Sequence, residues 1–187
     1  MKSVSGLICW FAICMFTASP GFCEAYHLIY EEGFEKRTID NIPEDWEFKI
    51  DPKTKTQYGF DDAEKHSGNY SYKIDIPAPG GRVTFSKINT VKNIRPGQRY
   101  EVSLWLKVKD LGYSPNFIAP AFRFNTHPRL RPVPTMDLIF LMKGETGWKN
   151  LALTITAPPD AAEMNLDFVL TRGTVWIDDL QIFEVGE

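Results

Sequence analysis

The stretch Gly97-Gln-Arg-Tyr-Glu-Val-Ser-Leu-Trp-Leu-Lys-Val-Lys109 decides how the rest of the chain is read. Tyr100, Val102, Leu104, Leu106 and Val108 alternate with Glu101, Ser103, Trp105, Lys107 and Lys109. A side-chain period of two over this length predicts a long strand with one face in an apolar core. The opposite face is polar except for a single indole. An exposed Trp among hydroxyls and charges suits a sugar ring, which stacks its C–H groups on the indole while polar neighbours take its hydroxyls. A Trp in this position equally suits a second sheet-to-sheet contact, and the strand alone does not separate the two.

Moving outward, short runs of the same kind recur at regular spacing, parted by Gly and Pro turns. They cover 27–30, 46–50, 57–60, 70–76, 82–88, 117–125, 136–142, 151–155, 164–170 and 174–183. Tyr70, Tyr72, Ile74 and Ile76 face one way in one of them, and Met164, Leu166, Phe168 and Leu170 in another. About ten short strands with no convincing helix predict an all-β sandwich. The run 127–134, with Pro128, Pro132 and Pro134, is a stiff basic loop that cannot be a central strand. Trp46, Trp148 and Trp176 lie beside turns or within apolar strands and are read as core.

At the N-terminus, Lys2 precedes the apolar run Leu7–Phe16, which is too short to span a bilayer. Small residues follow, so residues 1–25 read as a secretory signal peptide cut after Ala25, with residues 26–187 as one domain. Cys23 is a poor lipidation site because bulky Phe22 precedes it. The three cysteines, Cys9, Cys14 and Cys23, all fall in this segment, so the expected mature chain has no disulfide and no thiolate chemistry. It must hold together through its core. The net charge of −3, with both signs mixed, points to neither nucleic acid nor an anionic membrane as partner. The expected location is outside the cytoplasm, extracellular or periplasmic.

Several landmarks stand in a fixed order. They are Gly33-Phe-Glu35, Pro43-x-x-Trp46, His66-Ser-Gly68, Pro96-Gly-x-x-Tyr100 running into Ser103–Lys107, Gly147-Trp148, and Ile177-Asp-Asp-Leu180. Their order from Tyr26 to Phe183 resembles the carbohydrate-binding modules of the family 4/9/22 type, jelly-roll β-sandwiches of the galactose-binding-like fold. The resemblance implies a non-catalytic module for a polysaccharide or oligosaccharide. It also implies a structural Ca²⁺ where the two ends of the chain meet. Glu35, Asp178 and Asp179 match the family's acidic positions, with Asp62 from loop 61–69 as a further ligand; Ca²⁺ takes six to eight hard oxygens. Strand alternation favours Asp178 over Asp179.

The expected ligand face is Trp105, Lys107, Arg123, Asn125, Asn165 and Asp167, placed beside Ser103 and Thr84 on one side of the sheet. Amides, a guanidinium and a carboxylate around an indole can bind vicinal hydroxyls. Glu101 and Asp167 are a candidate carboxylate pair for glycoside hydrolysis, but no nucleophile elbow, zinc-protease motif or phosphate loop accompanies them. His66 reads as a turn residue. The alternative from another class is an adhesion or assembly module of the same fold that contacts other secreted or cell-surface proteins.

Overall fold

A computed structural model describes residues 25–112, 116–124, 131–132, 136–137, 142 and 147–186. All regular structure among them is β, in two antiparallel sheets. Sheet A runs β10 (Lys149–Thr156), β6 (Arg99–Lys109), β12 (Gly173–Val185), β4 (Ser71–Ile76), β3 (Gln57–Asp61), with β1 (Tyr26–Glu32) on the C-terminal half of β12. Sheet B runs β2 (Trp46–Ile50), β5 (Val83–Lys92), β11 (Ala161–Leu170), β7 (Phe117–Phe124), β8 (Arg131–Pro132), with β9 (Met136–Asp137) also on β7. This is the expected jelly-roll sandwich.

β6 behaves as its alternation requires. Tyr100, Val102, Leu104, Leu106 and Val108 are buried between the sheets, while Glu101, Ser103, Trp105 and Lys107 are half-exposed on the outer face. On sheet B Trp46 stacks on Phe85 at 4.2 Å, and Phe85 reaches across the gap to stack on Tyr72 at 4.8 Å. Phe48 joins the same stack through Phe85 at 4.6 Å and carries Tyr58 at 4.2 Å. Tyr72 keeps its hydroxyl satisfied by donating to the Asn41 carbonyl at 2.7 Å. Burying a side chain of this size contributes roughly 1.5–3 kcal/mol, so a continuous aromatic layer is how a domain without disulfides stays folded. The expectation that Trp46 and Trp176 are buried holds.

One sequence expectation changes. Part of the Pro-rich run is a strand after all, because Arg131 and Pro132 pair with Phe122 and Ala121. That pairing lies at the margin of sheet B, where a proline's missing N–H costs no ladder bond. The rest of that run, and all of 136–142 except Met136, Asp137 and Met142, lie outside the described residues.

At one end of the sandwich the loops touch backbone to backbone. Gly173 has φ +101°, and a Cβ there would stand 2.7 Å from the Asp110 carbonyl oxygen. Gly173→Ala is therefore expected to cost about 2–3 kcal/mol through strain at a disfavoured φ plus a backbone clash. A drop in the thermal midpoint, compared with Gly97→Ala where φ is also positive but the space is open, checks the clash separately from the strain.

Candidate functional site

Loop 61–70 joins β3 to β4 and folds back over the outer face of sheet A. Three of the sequence landmarks meet there. In Gly33-Phe-Glu35, Phe34 adopts a left-handed φ of 56° and is fully buried, which turns Glu35 toward the loop. The Glu35 carboxylate accepts from the amides of Asn69 at 2.9 Å and Tyr70 at 3.1 Å, and from Asn69 Nδ2 at 3.0 Å. Gly68 has a left-handed φ of 55°, and a Cβ there would fall 2.2 Å from Glu35 Oε1 and displace that carboxylate.

The other side of the loop is held by β12. Asp178 is completely buried; its Oδ2 accepts from the amides of His66 at 2.8 Å and Ser67 at 3.1 Å. Its Oδ1 accepts from the Asp179 amide at 2.8 Å. Strict alternation would point Asp179 the other way, and here the expectation is corrected. A bulge interrupts the ladder between Asp178 and Gln181, with Asp179 at φ 44°. The extra residue turns both carboxylates to the same loop. Asp179 then accepts from Ser67 Oγ at 2.8 Å and meets His66 Nδ1 at 2.6 Å.

The electrostatics follow from this. Burial pushes the Asp178 carboxyl up, the amides of Ser67 and His66 work against that shift, and the neighbouring Asp179 charge adds to it. Glu35 ends lower than an ordinary carboxylate: partial burial raises it, but the amides of Tyr70 and Asn69 together outweigh that.

Fixed in this way, His66 lies on Trp105 with ring centroids 3.7 Å apart and planes at 13°. Trp148 meets the imidazole edge-on at 5.9 Å. Asn150 stands opposite Trp105 on β10 and reaches Ser103 Oγ at 3.3 Å. Lys107 pairs with Glu64 of the loop at 2.6 Å, and Trp176 lies beneath with Nε1 donating to Asp61 at 3.0 Å. The result is a half-exposed ledge of Trp105, His66 and Trp148 edged by amide, hydroxyl and charged groups. Trp105 is not sealed between the sheets. The sequence reading places Trp148 in the core and takes His66 for a turn residue; Trp148 is instead half-exposed against the imidazole, because a loop histidine and a tryptophan after a turn carry no periodic signal of what they will face.

The predicted ligand set does not assemble. Trp105 and Lys107 are on sheet A, whereas Arg123, Asn165 and Asp167 are on β7 and β11 of sheet B. Outward on one sheet is opposite to outward on the other. Asn165 is 3 % exposed and engaged, while Asp167 is half-buried; the Arg123 side chain and Asn125 lie outside the described residues. For the same reason Glu101 and Asp167 face away from each other across the sandwich, and the candidate carboxylate pair is not formed.

Of the expected calcium ligands, Glu35 and Asp178 reach loop 61–70, with Asp179 beside them. Asp62 contributes only a carbonyl to Lys65 Nζ at 2.7 Å. The group types suit Ca²⁺, but each of the three carboxylates already faces N–H or O–H donors. Among the described residues no three acidic, His or Cys side chains converge on one point.

Compared with solved structures, the chain superposes on the CBM22-1 xylan-binding domain from Paenibacillus barcinonensis Xyn10C with a TM-score of 0.53 at 12 % identity. That match covers 88 % of this chain and 98 % of that one. The chain has the fold of the family 22 carbohydrate-binding modules. Another xylan-binding domain of that family gives a TM-score of 0.53 at 15 % identity over 86 % of this chain and 97 % of the other. The CBM22-1–GH10 modules of Clostridium thermocellum Xyn10B, solved with xylohexaose, give 0.54 at 16 % identity; the match covers 84 % of this chain but 28 % of that longer one. No protein-family model matches the sequence. No curated protein matches it either.

Asp178→Ala is expected to cost about 3 kcal/mol, since it orphans the amides of His66, Ser67 and Asp179 around a fully buried position; chemical denaturation measures it. Glu35 has a lowered value in the fold, so its stabilisation is present above the unfolded carboxyl value and fades as pH falls through the folded one. The thermal midpoint of Glu35→Gln should trail the wild type most at neutral pH, and the gap should close on acidification.

Proposed function

We propose that this chain is a secreted, non-catalytic carbohydrate-binding module whose ligand is a xylan-like polysaccharide or oligosaccharide. The observation that carries the reading is the Trp105–His66–Trp148 ledge, a wet aromatic surface fringed by Asn150, Ser103 and Lys107 on a carbohydrate-binding fold. Such a surface offers a pyranose a stacking face and its hydroxyls both donors and acceptors. One face of Trp105 is already taken by His66, so the sugar is expected at the indole's remaining surface and along Trp148. The outer face of sheet B, with Asp167, is the competing location.

Export is supported by the apolar run 7–16 followed by small residues, and among the described residues no helix is long and apolar enough to cross a membrane. A second reading, docking of another secreted protein, draws on β1, where Tyr26 and Leu28 are 51 % and 40 % exposed. Calcium is proposed as a counterion for Glu35, Asp178 and Asp179, since the Asp179 charge acts against both of the others.

Affinity electrophoresis against soluble xylan and a panel of other polysaccharides separates the faces. Trp105→Ala should weaken binding by about tenfold or more, in line with roughly 1–2 kcal/mol for one lost aromatic stack, while Asp167→Ala should leave it unchanged. The reverse pattern moves the site to sheet B, and retention by no polysaccharide defeats the carbohydrate reading. For the ion, millimolar CaCl₂ is expected to raise the thermal midpoint of wild type and EDTA to lower it, with neither acting on Asp178→Asn. A midpoint indifferent to both removes calcium.

A further inference from the structure

We infer that His66 touches the ligand itself: its Nε2 accepts a hydroxyl hydrogen from the sugar on the ledge, which makes the ligand class a non-acidic glycan rather than a uronate-bearing one. The inference rests on the carbohydrate reading above. It adds the group that contacts the sugar and the charge that the sugar must lack.

The imidazole is held by its backbone, its edge and its face. Asp178 Oδ2 accepts from the His66 amide at 2.8 Å, Asp179 Oδ2 meets Nδ1 at 2.6 Å, and Trp105 lies against the ring with centroids 3.7 Å apart. Asp179 is fixed in turn, since its Oδ1 accepts from Ser67 Oγ at 2.8 Å. A side chain held in this way loses little rotamer freedom when a ligand arrives, which lowers the cost of binding.

The Asp179 carboxylate also decides which nitrogen is left for a ligand. An ionised carboxylate only accepts, so it keeps the imidazole proton on Nδ1, and in the neutral ring Nε2 is then an acceptor. The two nitrogens point to opposite sides of the ring, which turns Nε2 away from Asp179. Among the described residues no hydrogen bond occupies it. The side chain is 28 % exposed, so a ligand on the ledge can reach the ring's outer edge.

Charge narrows the class of ligand. Nε2 calls for a donor. Asp179 stands directly behind the ring, Asp178 accepts from the amide of the same residue, and Glu101 shares the outer face of β6 with Trp105. Lys107, at the border of the ledge, is paired with Glu64 at 2.6 Å. A uronate would bring a charged acceptor to an acceptor, in a field that repels it. A sugar hydroxyl supplies the missing hydrogen, while the C–H groups of its ring keep their contact with the two tryptophans.

The test follows the ring nitrogens of the isotopically labelled chain by long-range proton–nitrogen correlation. The chain is titrated with xylo-oligosaccharide and, separately, with oligogalacturonate. Xylo-oligosaccharide should move the Nε2 resonance as it gains a hydrogen bond, while Nδ1, already on Asp179, should stay; oligogalacturonate should move neither. His66→Phe keeps a flat ring for Trp105 but removes Nε2, and should weaken retention on xylan about three- to tenfold, the range for one uncharged hydrogen bond. If that variant proves unstable, the nitrogen spectrum of the wild type decides alone. Xylo-oligosaccharide that shifts Trp105 and Trp148 but leaves Nε2 in place, or undiminished retention of a folded His66→Phe, overturns the role of His66 and leaves the carbohydrate reading standing. Equal binding of oligogalacturonate overturns the ligand class. No shift anywhere with xylo-oligosaccharide removes the xylan reading and this inference with it.

Discussion

Three carboxylates converging on one loop, Glu35 and Asp178 on its amides and Asp179 on its side chains, are the constraint from which the outer face of sheet A takes its form. Glu35 arrives from the chain's first strand, Asp178 and Asp179 from its last, and loop 66–70 lies between them. A buried carboxylate without donors is costly, and backbone amides without acceptors nearly as much. Each satisfies the other here, tying β1, β12 and the β3–β4 connection into one unit. The two ends of the chain are thereby joined without a covalent staple.

The clamp also sets what the surface presents. Because Asp178 and Asp179 hold both the backbone and the ring of His66, the imidazole is laid flat on Trp105 and its edge meets Trp148. An indole that strand alternation would leave open becomes one part of a ledge. Farther along the same loop, Glu64 and Asp61 occupy Lys107 and the Trp176 N–H. The loop is fastened at too many points to act as a lid. Its effect is to cover much of this face while a rim at Trp105 and Trp148 stays accessible.

Much of this was legible in the chain before folding. The alternation of residues 100–109 states which side chains are buried, because a strand's successive side chains point to opposite faces whatever the sheet. Gly33-Phe-Glu35, His66-Ser-Gly68 and Asp178-Asp179 were recognisable as landmarks, and in the structure Glu35 and Asp178 both bind amides of loop 66–70. Less legible was the bulge that brings in Asp179. An inserted residue leaves no mark in composition, and alternation read through it gives the wrong side. The grouping of Trp105 and Lys107 with Arg123, Asn165 and Asp167 failed for a related reason: parity assigns a side chain to a face of its own strand, but not the strand to a sheet.

The sequence by itself therefore determined the local quantities: strand positions, the inward and outward set on each, the turns, and the cysteine-free core that must carry stability. These depend on neighbours one to four residues apart, through the pleat, the φ preferences of Gly and Pro, and the burial of alternate apolar groups. Only the tertiary structure decided which strands share a sheet, that β6 and β11 turn their outer faces in opposite directions, and that His66 comes to rest on a tryptophan 39 positions away. Those relations come from hydrogen-bond ladders and carboxylate–amide contacts between distant segments, and no periodicity along the chain encodes them.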